Sequence, residues 1–303
     1  MRIAMLGLGL IGGSVARALR RAGAPVEIVG WTPSGRGPAL AQASGVIDAA
    51  PRPLADAILG ADLILLAAPP LDCAWLLDEL AGPIRYARSA DATITDVSST
   101  KAAIVARADE RRVPFVGGHP MAGRETTGYE SATDDLFVDR PWVVVPNAFA
   151  RPSDVERVEW LARAVGARPV QMGGDDHDRA VAGISHLPLV LAAALVEAVA
   201  GTPAAPAEGW DGARLLAASG WRDMTRLARG DIAMGAGIAE SNAGPLAARI
   251  RAVQAVLDGW LRDLDASGVR PDSASIERRL TDARAVLQAS AAVTPAPSDP
   301  SSP

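Results

Sequence analysis

Two patterns in the 303-residue chain predict an α/β fold, with an N-terminal doubly wound sheet followed by an all-helical domain. Short, continuously apolar runs alternate with helical periodicities as far as residue 172, which is how strands read when helices cover both faces of a sheet. Beyond Gly173-Gly174 the helical periodicity continues with no further strand candidate. The boundaries that follow are 1–172 for the sheet domain, 173–290 for the helical domain and 291–303 for a disordered tail rich in Pro, Ser and Ala.

The first strand, residues 3–6, runs straight into Gly7-Leu8-Gly9-Leu10-Ile11-Gly12, and an alanine-rich helix follows up to Arg20, Arg21 and Gly23. Gly7 allows the tight turn, Gly9 removes a side chain that would block a pyrophosphate, and Gly12 lets the helix lie close to the strand. Backbone N–H groups at the helix start, around Leu10 and Ile11, would hold phosphate. Glycine-rich turns also occur for packing alone, but a strand before and a helix after give the Rossmann-type context. Further strands are predicted at 26–29, 62–67, 92–97, 115–116, 142–145 and 168–172, with helices at 101–108 and 153–165. In the second half, helices are predicted over 175–200, 209–229, 232–264 with a break near Gly244-Pro245, and 272–288.

Composition narrows the function. A net charge of -5 without a long basic run argues against nucleic acid. A lone cysteine, Cys73, forms no internal disulfide, and the chain opens on a strand without a charged leader, so a reducing, cytoplasmic setting is expected. Residues 180–201 are apolar and long enough to cross a bilayer, but they contain Ser185, His186, Pro188 and Glu197 and lack flanking basic clusters. That segment reads as a buried helix at a domain or subunit core rather than a membrane span.

Several residues could carry chemistry. Thr32 stands at the end of the second strand, where a dinucleotide fold usually places the acid that binds the adenosine ribose. Ser34 and Arg36 follow, and a hydroxyl with a guanidinium suits a 2′-phosphate better than a diol, so NADP is favoured over NAD. His119 follows a strand and so lies near the crevice where such folds bind ligands. His177 and His186, nine apart on one straight helix, would face opposite ways; with one cysteine and no paired histidines, no metal site is expected. The run 96–101 joins hydroxyls and charge at a strand end, where Ser99 or Thr100 would also serve as a helix N-cap. Arg222 and Arg226 stand four apart on a predicted helix, either with Asp223 as partner of Arg226 or as a carboxylate-binding pair.

Taken in order, GLGLIGGS at 7–14, DVSSTK at 96–101, GGHPMAGRETTG at 117–128, HDRAVAGISHLP at 177–188 and WRDMTRLARGD at 221–231 resemble the prephenate and arogenate dehydrogenase family of tyrosine biosynthesis. The resemblance implies a Rossmann domain joined to a helical dimerisation domain, and NAD(P)-dependent oxidative decarboxylation of a cyclohexadienyl acid. It further implies that His119 accepts the proton of the substrate's ring hydroxyl, that Ser99 orients His119 or that hydroxyl, and that His186 and Arg226 lie on the substrate side, Arg226 clamping a carboxylate. Glu125 matches a family position that positions substrate or gates its entry, and it equally suits a loop-capping acid. His177 and Asp178 read as starting the apolar helix and satisfying neighbouring backbone or cofactor groups.

The chain also departs from the family. Leu189 stands where a second histidine often follows SHLP, and the run after Asp231 lacks the usual acid-proline pair and tryptophan. These changes leave the substrate open among prephenate, arogenate, both, or an amino-substituted analogue. No appended regulatory domain is read, so feedback by tyrosine would act at the active site. A homodimer is expected through the apolar helix. A hydroxy-acid dehydrogenase sharing only the Rossmann half would commonly need a helix-borne lysine, and none occurs from residue 173 onward. A cofactor sensor without turnover would need the glycine turn but not His119, Ser99 and Arg226.

Overall fold

The structure, a computed structural model, describes residues 1–265 and 271–291. The predicted disordered tail thus lies outside the described residues, apart from Ala291, which closes the last helix. The first half runs β1 (Arg2–Leu6), α1 (Leu10–Arg21), β2 (Glu27–Trp31), α2 (Arg36–Ala43), α3 (Leu54–Ile58), β3 (Leu63–Leu66), α4 (Pro70–Ala81), β4 (Thr93–Asp96), α5 (Ala102–Glu110), β5 (Phe115–Pro120), β6 (Pro141–Pro146), α6 (Pro152–Ala164) and β7 (Arg168–Gln171).

These seven strands form one sheet in the order β2-β1-β3-β4-β5-β6-β7. The first five are parallel, β6 is antiparallel to β5, and β7 is parallel to β6. A parallel return from β5 would need a crossover element. Residues 121–140 contain only the 3-10 turn Tyr129–Ser131, so the chain turns back on itself. Side chains alternate across each strand: Ile3 and Met5 join Val15, Leu19, Val158 and Leu161 on one face, while Ala4 and Leu6 join Leu76, Leu77, Leu80 and Ile104 on the other. Two buried faces explain why the strands read as unbroken apolar runs.

Beyond β7 come α7 (Gly174–Val181), a π-helical turn (Ala182–His186) and α8 (Leu187–Ala200). A hairpin of β8 (Gly201–Thr202) and β9 (Ala205–Pro206) follows, then α9 (Trp210–Ala213), α10 (Ser219–Thr225), α11 (Ile232–Ser241), α12 (Ala243–Leu264) and α13 (Ser273–Ala291). Three expectations need correction. The hairpin adds two short strands to a half read as all-helical; Gly201, at φ +76°, turns the chain out of α8. The helix predicted over 209–229 is broken into α9, α10 and 3-10 turns at Arg214–Leu216 and Arg226–Arg229. In α8 only Ala192 is buried within the chain, so that apolar helix is not the core of its own chain. The stretch Gly174–Ala200 is long and apolar enough to cross a membrane by length and composition, yet its first turns carry His177 and Asp178, both buried.

By its contacts the chain divides into two compact units, Met1–Leu246 and Ala247–Pro303. Residues 174–246 therefore share a unit with the sheet, which brings α7 and α11 to its strand ends. In the second unit Asp263 accepts a hydrogen bond from Ser275 (3.0 Å) and pairs with Arg279.

Gly118 on β5 shows how closely the strand ends pack. A Cβ there would stand 2.5 Å from the Asp96 carbonyl oxygen and 2.9 Å from the Trp142 indole nitrogen. Gly118→Ala should lower unfolding stability by about 1–3 kcal/mol through overpacking against backbone. Urea titration of both proteins reads this directly, and an unchanged midpoint would mean the strands can part freely.

Candidate active site

The site is built from the carboxyl ends of β4 and β5 and the first turns of α7. Asp96, the last residue of β4, is fully buried and receives donors from three directions. Its Oδ1 accepts from the Gly118 backbone (2.9 Å), and its Oδ2 accepts from Ser98 N (3.0 Å), from the Ser98 hydroxyl and from Lys101 Nζ. Lys101, the only lysine in the chain, is also wholly buried, so the two charges neutralise each other away from water. This network pins Gly118 and hence the next residue, His119.

His119 sits 8% exposed in a cluster of imidazoles. Its Nδ1 lies 2.8 Å from His177 Nε2, and His177 Nδ1 lies 2.7 Å from Asp178 Oδ1. The rings of His119 and His177 meet edge to face, with centroids 5.0 Å apart. Asp178 also accepts from Lys101 N (2.8 Å) and Ala102 N (2.9 Å), and so caps α5 from another helix. That corrects the cap expected from Ser99 or Thr100: Lys101 is the N-cap residue, and the Thr100 hydroxyl instead meets Ser241 Oγ at 2.9 Å. Burial, with His177, Lys101 and His186 nearby, holds the His119 pKa well below that of free histidine, so the ring is neutral. Burial alone would raise the pKa of Asp178, but hydrogen bonds from His177 and from the backbone of Lys101 and Ala102 outweigh it and keep the carboxylate ionised.

His186 does not stand opposite His177 as a straight helix would require. The π-helical turn widens the helix between them, and His186 joins the same buried cluster. Its Nδ1 lies 3.0 Å from Asn242 Nδ2, which also donates to the Asp178 carbonyl (2.8 Å), while the ring also meets the Ser99 backbone. Burial lowers its pKa to about 4, against the upward pull of Asp178. Asn242 lies 56 residues from His186 with no motif around it, and the sequence carries no signal for its role.

The remaining predicted residues fall into two groups. Arg226 forms an ion pair with Glu125, not with Asp223, its side chain 58% exposed. Arg222, on α10, is exposed, and Ser99 is half-buried in the bend before α5. At the same edge of the sheet, beyond the carboxyl ends of β1 and β2, a cavity of about 730 Å³ is lined by residues that include Gly7, Gly9, Thr32, Ser34, Arg36 and Trp75. Gly7 takes φ +117°, and a Cβ there would meet the Ala67 carbonyl oxygen at 2.1 Å; at Gly9 the space is open. Leu10 and Ile11 begin α1, whose first turn has neither a capping side chain nor an acid, so its N–H groups are free to meet an anion. These features fit a dinucleotide. Thr32 Oγ1 accepts from Gly35 N (3.0 Å), Ser34 Oγ from Arg36 N (3.3 Å), and Arg36 pairs with Glu130 at 3.0 Å. Arg52, which no sequence pattern singles out, donates to the Ser34 carbonyl at 3.1 Å. Cys73 lies on the buried face of α4, and burial pushes its thiol up to about 12 and leaves it unreactive. No group of residues that could hold a metal ion occurs among the described residues.

Comparison with known proteins matches residues 15–171 to the prephenate dehydrogenase nucleotide-binding domain and residues 174–267 to the prephenate dehydrogenase dimerization domain. Prephenate dehydrogenase of Bacillus subtilis is 32% identical over 267 residues, covering 87% of this chain and 68% of that protein. Among solved structures, Synechocystis arogenate dehydrogenase is 30% identical with a TM-score of 0.77, over 95% of this chain and 99% of its own. Prephenate dehydrogenase from A. aeolicus in complex with hydroxyphenyl propionate and NAD+ is 26% identical with a TM-score of 0.80, over 95% and 98%.

The neutral histidines make stability depend on pH. His186 has a folded pKa near 4, below the 6.5 of a free ring, so between those values the unfolded chain binds more protons. Its contribution is complete above 6.5 and is lost as pH falls toward the folded value, with a slope of up to about 1.4 kcal/mol per pH unit. In urea unfolding, His186→Asn should show a smaller loss of stability between pH 7 and pH 5 than the parent. Equal losses would mean that the ring is free to charge when folded.

Proposed function

The chain belongs to the prephenate dehydrogenase family of NAD(P)-dependent oxidoreductases, and from that premise we propose that it oxidatively decarboxylates a cyclohexadienyl acid, prephenate or arogenate, with NADP as the preferred cofactor. The observation that carries the reading is His119: a neutral, nearly buried imidazole held at a strand end by partners on two elements. When bound, the nicotinamide supplies the hydride acceptor. His119 takes the proton of the ring hydroxyl as the carbon bearing it is oxidised, and loss of the ring carboxylate as CO2 then leaves an aromatic ring. Ser99, in the bend between Asp96 and α5, orients the hydroxyl or His119, and the buried His186 holds the substrate side through Asn242.

Arg226 is the carboxylate clamp, with Arg222 one helical turn before it. Its present partner Glu125 is itself a carboxylate, so a substrate carboxylate exchanges like for like against an exposed pair worth little. Glu125 thereby governs entry. At the cofactor end, Gly7, Gly9, Leu10, Ile11 and Gly12 would hold the pyrophosphate, and Thr32, Ser34 and Arg36 the 2′-phosphate. The absence of an acid at the end of β2 supports NADP. Arg36 pairs with Glu130 on the surface, a contact cheap to exchange for phosphate. We assign residues 1–172 to cofactor binding and 173–290 to substrate binding and dimerisation, with exposed Leu191 and Val199 of α8 as part of the homodimer surface. A cytoplasmic setting suits these roles.

Incubating the protein with prephenate or arogenate and with NADP or NAD in parallel tests the reading. Reduced cofactor and CO2 should appear, with a higher kcat/KM for NADP, and His119→Asn should lower kcat by roughly two to four decades. A full-rate His119→Asn enzyme would remove the base assignment, and a strong NAD preference the cofactor one. Arg226→Ala should chiefly raise KM, because a ground-state contact is lost; an unchanged KM would place the clamp elsewhere.

A further inference from the structure

We propose that Asp178 and His177 are positioning residues that hold His119 in the tautomer protonated at Nδ1, leaving Nε2 as the nitrogen that receives the substrate's proton. The inference deepens the reading of His119 as the base and rests on it. Its argument is one of hydrogen-bond direction. Backbone N–H groups can only donate, and Lys101 N and Ala102 N contact the two oxygens of Asp178 separately, at 2.8 and 2.9 Å. Both oxygens are therefore acceptors, and His177 Nδ1, 2.7 Å from Oδ1, donates to the carboxylate. In this proposal His177 is a neutral imidazole, which donates from one nitrogen and accepts at the other. His177 Nε2 is thus the acceptor in the 2.8 Å contact, and the proton in that bond belongs to His119 Nδ1. His119 Nε2 keeps its lone pair, since the contact with His177 runs through Nδ1.

The interposed ring has a purpose that a direct carboxylate would defeat. An aspartate against His119 would favour the charged imidazolium before substrate arrives. Through the interposed ring of His177, the same carboxylate orients the base, and His119 remains neutral. When the ring hydroxyl gives its proton to Nε2, the O–H bond breaks and an N–H bond forms. The positive charge then faces Asp178 through two aligned hydrogen bonds, and the proton later leaves to water. Because Asp178 also caps α5, the bend that carries Ser99 is set by the same carboxylate.

With three histidines in the chain, nitrogen-15 NMR of the imidazoles resolves each ring. In the parent at neutral pH, His119 should show a protonated Nδ1 and a bare Nε2. In Asp178→Asn the amide oxygen keeps the Oδ1 place, which serves both His177 Nδ1 and Lys101 N, and only the bond to Ala102 N is lost. His119 should keep its proton on Nδ1 while kcat falls by roughly tenfold or more with KM little changed, because the charge that faces the imidazolium is gone. Should loss of that α5 cap prevent Asp178→Asn from folding, His177→Gln serves in its place. That variant offers an amide oxygen to His119 Nδ1, so the tautomer should persist while kcat falls by a smaller factor. A parent His119 protonated at Nε2, as a doubly protonated His177 would enforce, overturns the proposal. So does an unchanged kcat in a folded Asp178→Asn. The spectrum reads the tautomer without turnover, so failure of the base assignment, seen in His119→Asn kinetics, is distinguishable from failure of this one.

Discussion

The site depends on one carboxylate delivered from outside the sheet. Asp178 reaches from α7 to the backbone N–H groups of Lys101 and Ala102, at the N-cap and first residue of α5, satisfying donors that no local side chain caps, and meets His177 on the way to His119. A helix start buried without partners is costly. The sheet's own α5 is therefore incomplete until α7 docks, and the same docking assembles the histidine cluster.

Beneath this lies a second constraint, the buried Asp96–Lys101 pair. Two fully desolvated charges are tolerated because their geometry is completed by Ser98 and the Gly118 backbone. Every other basic side chain in the chain outside the histidines is arginine. The ammonium of Lys101 is a compact point charge on a flexible stem, and its stem runs against Gly117, where a Cβ would stand 3.1 Å from Lys101 Cδ. The paired glycines before His119 thus serve packing on both sides: Gly117 against the lysine stem, Gly118 against β4. The His119 imidazole is placed by backbone that has no room to move.

What the sequence made legible was local. Apolar runs with helices between them located the strands, and the strand-turn-helix context of Gly7 to Gly12 located the turn that lines the large cavity. The long-range pairings were not legible. Arg226 finds Glu125 across 101 positions of sequence instead of its neighbour Asp223, because its helix ends at Thr225 and a 3-10 turn redirects the side chain. His177 and His186 looked opposed because a straight helix was assumed; a five-residue π turn changes the phase. The antiparallel entry of β6 likewise follows from the absence of a crossover helix, a negative feature that periodicity does not announce.

Chemically, the account ties one neutral base to one hydride transfer, with decarboxylation as its consequence. A single-turnover experiment with substrate deuterated at the ring carbon bearing the hydroxyl tests this most directly. The account predicts that deuterium passes to the reduced cofactor with a primary isotope effect, in an amount equal to the CO2 released. Deuterium found in water, or CO2 released without reduced cofactor, would contradict it.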